Sequence, residues 1–174
     1  MPTAYAFGRM IRFFSRTQSS YKGVLGVDVG SRATTIAAAH NGRLSTTVLS
    51  PFGTGEGAPQ VLQQGKLDEV IQWLPLHVSA DVVRDAIWQK SLFPGSLPLN
   101  CEALAIEQAV IRQILRLGMQ QALNRWPNMP ASFDPILVTG APLTQTASPG
   151  QSLLMLLDGL QPVGVTILML DQFI

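Results

Sequence analysis

A mixed α/β fold, built on a five-stranded sheet with helices on its faces, is what this 174-residue chain predicts. Three observations carry it. Residues 24–55 read as strand, acidic glycine turn, strand, Asn-Gly turn and strand. The middle of the chain is a block of helical patterning. Two further apolar strands, near 133–139 and 163–170, are separated by one more helix, as parallel strands joined by a crossover must be.

The first element is a helix. Residues 5–16, YAFGRMIRFFSR, place Phe7, Met10, Ile11 and Phe14 at helical spacing, with Arg9, Arg12 and Arg16 between them. A membrane-surface helix, a transit peptide and a helix connecting from a preceding lobe all fit this pattern. Amphipathic helices pack mostly on protein, which favours the last. With the polar residues 17–20, residues 1–22 are therefore read as connecting helix and linker from a missing preceding lobe. Residues 23–174 form the domain proper.

Residues 24–28 are aliphatic and β-branched, suited to a strand covered on both faces. Residues 34–40 and 43–50 flank Asn41-Gly42, the preferred type I′ hairpin pair, so these two strands are antiparallel. Three glycines and two prolines mark 51–59 as a loop. Leu62, Val70, Ile71 and Leu74 then suggest one helical stripe over 61–74. Ser79 is placed to cap a helix over 80–91, with Asp81 and Asp85 near its positive end. FPGSLP at 93–98 breaks the chain.

A long helix is expected over roughly 101–125, with Leu104, Ile111, Leu115 and Ala122 inward. Gly118 sits inside it at a cost of ~1 kcal/mol relative to alanine; close packing or a ligand near the backbone would explain it. Pro127 and Pro130 end that helix. Residues 133–139 are a buried strand running into Gly140-Ala141-Pro142. Ser148-Pro149 starts a helix with proline at its first position, carrying Leu153, Leu154, Leu156 and Leu157. A last strand is expected over 163–170. A further helix is expected after Leu170, and both ends of the chain read as cut. The order β-β-β-α-β-α-β is that of the ribonuclease H-like unit, the repeated half of actin-like ATPases.

Composition narrows the function classes. The net charge is +1, which gives no electrostatic case for nucleic acid. Charged residues make up 13% and apolar residues 47% of the chain, against roughly 25% charged in an average domain. Some apolar surface is therefore expected to face another domain or a second copy, as a homo-oligomer. Cys101 is the only cysteine, which leaves no internal disulfide and no multi-cysteine metal site. A small, buried or partly buried residue is expected there. His40 and His77 lack ligand-spaced carboxylates. No apolar run approaches the ~20 residues of a membrane span, and arginines interrupt any N-terminal signal core. The expected location is the cytoplasm.

The chemistry centres on the turn after the first strand. Gly30 lets backbone approach a phosphate, and consecutive amides there can form an anion nest. Ser31 and Thr34 would add hydroxyls. Asp28 would hold Mg²⁺ through water, since that ion takes one or two carboxylates and keeps most of its waters. A plain strand end, with Asp28 satisfying local amides, is the competing reading. Gly140 and Ala141, after the 133–139 strand, stand where actin-like folds carry a glycine pair beside adenosine; an ordinary strand-to-helix loop is the alternative. The geometric expectation is that amides near Gly30 lie opposite the bend at Gly140. FGTGEG, residues 52–57, lacks the Lys-Ser or Lys-Thr of a P-loop. A flexible lid or a subdomain contact is expected there, with Glu56 in water. A two-metal nuclease of the same fold is disfavoured, because no carboxylate lies in the second or third strand and Asp134 begins its strand.

In LGVDVGSRATT, SPFGTGEG and FDPILVTGAPLTQTASPGQSLLMLLDGLQPVGVTILMLD, the chain resembles the MutL-type actin-like proteins encoded beside coenzyme-B12-dependent glutamate mutase. (The mismatch-repair protein of that name is unrelated.) The resemblance covers most of residues 22–171 and corresponds to the second of two actin-like halves. It implies an ATP-binding, chaperone-like or reactivase-like partner of a cobalamin-dependent mutase subunit. The family's D-x-G-G-A-T-T-D pattern is matched by Asp28, Gly30 and Thr34. Ser31, Arg32, Ala33 and Thr35 depart from it. Two of these departures fall on groups that would orient water or metal, which bears on hydrolysis rather than on phosphate binding.

The sequence thus points to one lobe of an actin-like nucleotide-binding protein. Asp28, Gly30, Ser31 and Thr34 would face the phosphates, and Gly140 and Ala141 the adenosine. ATP and Mg²⁺ would bind weakly to one lobe alone, and ATPase activity would need both lobes. A degenerate, non-catalytic scaffold or interaction module is the alternative, favoured by Arg32, Ala33, Thr35 and Ala141.

Overall fold

Strand β1 (Gly23–Val29) lies in the middle of the sheet because two different partners claim its edges. It pairs antiparallel with β2 (Thr34–His40) and parallel with β4 (Phe133–Thr139). Strand β3 (Arg43–Leu49) continues the meander beyond β2, and β5 (Leu168–Leu170) adds in parallel beyond β4. The order is β3-β2-β1-β4-β5, a ribonuclease H-like topology. The computed structural model describes residues 3–17, 21–50, 52–75, 77–130 and 132–172.

The hairpin turn is type I′, with Asn41 at φ 50° and Gly42 at φ 74°, which keeps the twist of β2 and β3 continuous. Alternation along β1 and β2 sorts side chains onto two faces. Leu25, Val27, Val29, Ile36 and Ala38 join the main core under α5 (Cys101–Arg125). Val24, Ala37, Ala39 and Leu137 face the other way, against Phe7 and Ile11 of α1 (Thr3–Thr17). Helix α1 therefore packs on the sheet, as its apolar stripe predicts, although Met10 stands in water. Gly118 of α5 sits against Ile36 and Leu49, so close packing accounts for it.

Between β3 and α5 the chain forms α2 (Ala58–Gln64), α3 (Leu67–Ile71) and α4 (Ala80–Leu92). The single stripe expected over 61–74 is thus two short helices, because Gly65 adopts an extended conformation after α2. The expected cap forms, Ser79 Oγ accepting from Val82 N–H at 3.4 Å, and a second one not foreseen caps α5, where Asn100 Oδ1 accepts from Ala103 N–H at 2.7 Å. After β4 come α6 (Ala141–Thr144) and α7 (Pro149–Leu160).

Two further expectations are corrected. The last strand is three residues long rather than spanning 163–170. Upstream of it, backbone groups are taken by side chains: Lys22 Nζ donates to Val165 C=O at 2.5 Å, and Ile167 N–H donates to Asp134 Oδ1 at 3.0 Å. Cys101 is exposed at the start of α5, not buried. Leu153, Leu154 and Leu157 of α7 are exposed, and only Leu156 of that set enters the core. The polar stretch at 18–20 lies outside the described residues. No helix among those described is long and apolar enough to cross a membrane.

Helix α7 is held on α5 by Arg112 Nε and Asp158 Oδ2, 2.7 Å apart, with the arginine side chain 11% exposed. Arg112→Ala strands a half-buried carboxylate and is expected to cost about 1–2 kcal/mol. Arg84→Ala breaks only the exposed Arg84–Asp81 pair, and should change stability by less than about 0.5 kcal/mol. Urea denaturation of the two variants checks the contrast.

Candidate functional site

Parallel pairing brings the ends of β1 and β4 together. Asp28 stands opposite Thr139 in the ladder, so the turn after β1 and the bend at Gly140 leave the same edge of the sheet, side by side. Gly140 has φ 101° and ψ 126°, and a Cβ placed there would lie 2.2 Å from the Val29 carbonyl oxygen. Only glycine lets the two backbones touch. The Gly140 carbonyl then accepts from Leu143 and Thr144 amides at 2.9 and 3.1 Å, starting the single turn of α6, where Ala141 is exposed.

The turn itself is closed by Gly30 N–H donating to Ala33 C=O at 3.0 Å. Gly30's own amide is therefore spent. Ser31 and Arg32 are exposed, and their amides have no backbone acceptor among the described residues. The loop 52–57 seats on this turn. Thr54 N–H donates to Gly30 C=O at 3.1 Å and Gly55 N–H to Ser31 C=O at 2.9 Å. Gly53 lies against the Ser31 carbonyl and Gly55 against Ser31 Oγ. Fully buried Phe52 anchors the loop in the core. Glu56, expected in water alone, instead pairs with Arg32 at 2.8 Å, both side chains being well exposed.

Alternation separates two residues that the sequence placed together. Asp28 faces the α1 side of the sheet, directly across from Thr35 on β2 and Thr139 on β4. Thr34 pairs with Val29 and points the other way; it is fully buried, and its hydroxyl has no hydrogen-bond partner. The edge thus groups Asp28 with Thr35, Thr139, Ser31 and Gly140, and leaves Thr34 beneath the turn. Thr35 was missed because its register beside Asp28 follows from the turn at 30–33, and Thr139 because its place there follows from the long-range parallel pairing of β1 with β4. On the far side of the 52–57 loop, a cavity of about 440 Å³ opens between α4 and α5. Thr54 belongs to both the turn contact and the cavity wall, whereas Gly140 and Ala141 do not line it.

Asp28 is half-buried, and desolvation raises its pKa above the ordinary 3.8. No cation or hydrogen-bond donor pairs with it among the described residues. The folded chain therefore holds the Asp28 proton more tightly than the unfolded chain. Stability contributed by this group is complete below 3.8 and is lost as pH rises through the raised folded value. Asp28→Asn is accordingly expected to be more stable than the parent at neutral pH, with the gap closing in acid. Urea denaturation at a series of pH values checks this; a gap that widens in acid contradicts it.

Comparison with protein families gives a match to the model described as MutL protein over residues 1–174. No curated protein matches. Among solved structures, the chain is similar to the ethanolamine utilization protein EutJ from Carboxydothermus hydrogenoformans, with 13% identity and a TM-score of 0.46. That likeness covers 94% of this chain and 48% of EutJ, so the chain spans about half the length of that protein. Because the family model accounts for every residue, the chain belongs to the MutL protein family.

Proposed function

We propose that this domain forms one wall of a nucleotide site in a two-lobed, actin-like protein. The observation that carries the reading is the meeting of two bends on one sheet edge, Gly140 against Val29 and the Ser31–Arg32 turn beside it. The exposed amides of Ser31 and Arg32 suit phosphate oxygens. A half-buried Asp28 carboxylate without a counter-charge suits a hydrated Mg²⁺, which would neutralise phosphate charge. Thr35 and Thr139 flank that carboxylate and would orient waters around it. Ala141, exposed at the start of α6, would border the adenosine. The client we assign is a cobalamin-dependent mutase subunit, with a maintenance or reactivation role, on the family membership.

One wall of a cleft gives weak binding. Titrating the chain with Mg·ATP is expected to shift the amide NMR signals of Ser31, Arg32 and Gly140 at high nucleotide concentration, with no turnover. Asp28→Asn should lose the Mg²⁺ dependence of those shifts. Shifts confined to other parts of the sheet would overturn the reading, and so would tight binding with hydrolysis by this chain alone.

A second reading is a non-catalytic scaffold. It is favoured by the spent Gly30 amide and by the Arg32–Glu56 pair, which lies across the turn. Absence of any Mg·ATP response in a complex with the complementary lobe would select it.

A further inference from the structure

The two edges of the sheet are unlike. Strand β5 is three residues long, whereas β3 runs seven residues in unbroken register with β2. Short strands, bulges, prolines and charges are the devices that close an edge to further pairing. Residues 44–49, LSTTVL, carry none of them. In a two-residue hairpin the flanking pair, here His40 and Arg43, exchanges both ladder bonds, and pairing alternates from there. The N–H and C=O groups of Leu44, Thr46 and Val48 therefore point away from β2, and none has a partner among the described residues. Helix α1 lies over the side chains of this strand, with Gly8 against Leu44 and Thr46, and leaves Val48 48% exposed.

The same corner concentrates positive charge. Asp28 is the only acidic residue among the first 50, against six Lys and Arg. Arg12 Nε donates to Gly42 C=O at 2.8 Å, and Gly42 N–H donates to Ser15 Oγ at 3.2 Å, which ties the end of α1 to the hairpin tip. Arg16 packs on Gly42 as well. Arg12, Arg16 and Arg43 thus meet at the tip, exposed and without a carboxylate among the described residues. We propose that the β3 edge binds an acidic, extended segment of a partner protein as a sixth strand of the sheet. The row of backbone groups selects a strand. The tip selects carboxylates at the end of that strand nearest Gly42, and Val48 selects an apolar residue at the other end. A second copy pairing here would bring the same arginines and, in its own first 50 residues, only the half-buried Asp28 to meet them. An anionic membrane or a nucleic acid would answer the arginines and leave the backbone row unused.

The probe is the end-capped peptide Val-Thr-Val-Thr-Glu-Thr-Glu, which in antiparallel pairing sets its valines toward Val48 and its glutamates toward the tip. Titrated into the chain, it is expected to bind saturably and to slow amide exchange at Leu44, Thr46 and Val48. Ser45 and Thr47, whose amides already bond β2, should not change. Replacing both glutamates by lysine should weaken binding by about 10-fold or more. The double substitution Arg16→Glu, Arg43→Glu should weaken the glutamate peptide equally and restore the lysine peptide. Its thermal melt should match the parent's, because both side chains are exposed. Absence of binding overturns the inference, as do equal binding of the two peptides and binding without protection of those three amides. Protection of the same amides in the peptide-free chain, rising with its concentration, would give the edge to a second copy. Binding to phosphatidylserine vesicles with no response to peptide would give the arginines to a membrane. Either result also overturns it.

Discussion

Gly140→Ala is expected to lower stability by about 2–4 kcal/mol, from backbone strain at a glycine-only conformation together with overpacking. Its φ of 101° is one that side-chain-bearing residues avoid, and the new Cβ would meet the Val29 carbonyl oxygen at 2.2 Å. Neither partner can swing aside, because both are main chain one residue beyond the parallel ladder that ends at Asp28 and Thr139. Relief requires prising the ends of β1 and β4 apart, so the same substitution should erase the Mg·ATP response. For a chain of this size, a thermal midpoint lower by about 5–15 °C follows. Gly95→Ala is the control: nothing lies within 4 Å of a Cβ there, and its effect should be neutral or stabilising by up to about 1 kcal/mol. A Gly140→Ala melt within about 0.5 kcal/mol of the parent would contradict the geometry described.

Gly53→Ala should be the second most damaging change, and a local one. A Cβ on Gly53 would sit 2.2 Å from the Ser31 carbonyl oxygen and 2.6 Å from the Arg32 carbonyl carbon. The loop must lift off the turn, breaking the bonds from Thr54 to Gly30 and from Gly55 to Ser31. Two net backbone hydrogen bonds plus overpacking amount to about 2–4 kcal/mol. Phe52 remains anchored in the core, so the loss should appear as faster amide exchange at Thr54 and Gly55, with the sheet still protected. Glu56→Ala removes only the exposed pair with Arg32 and should cost less than about 0.5 kcal/mol. Equal exchange at Thr54 in Gly53→Ala and parent would show that the loop does not depend on that contact.

The contrast between legible and illegible features follows interaction range. The Asn41-Gly42 hairpin and the Ser79 cap are local, and turn residues or spacing announce them. Gly140 was visible as a bend, but its contact with Val29 depends on a strand pairing more than a hundred residues apart in sequence. Thr34 looked equivalent to Ser31 as a hydroxyl after an acidic turn; parity of the strand put it on the opposite face. The FGTGEG loop advertised flexibility through its glycines. Those glycines instead permit contact, since no side chain fits between loop and turn. The last strand was over-read because Val163, Val165 and Ile167 alternate properly, yet Val165 C=O bonds Lys22 and Ile167 N–H bonds Asp134, and pairing with β4 starts only at the Ile167 carbonyl.

The sheet divides the apolar interior into two unequal compartments, and β1 is a wall of both. On the smaller side, Phe7 and Ile11 of α1 bear on the backbone at Gly26, two residues before Asp28 on the same strand. A Cβ at position 26 would meet Ile11 at 2.4 Å, so any side chain there would force the first helix away from the sheet behind the carboxylate.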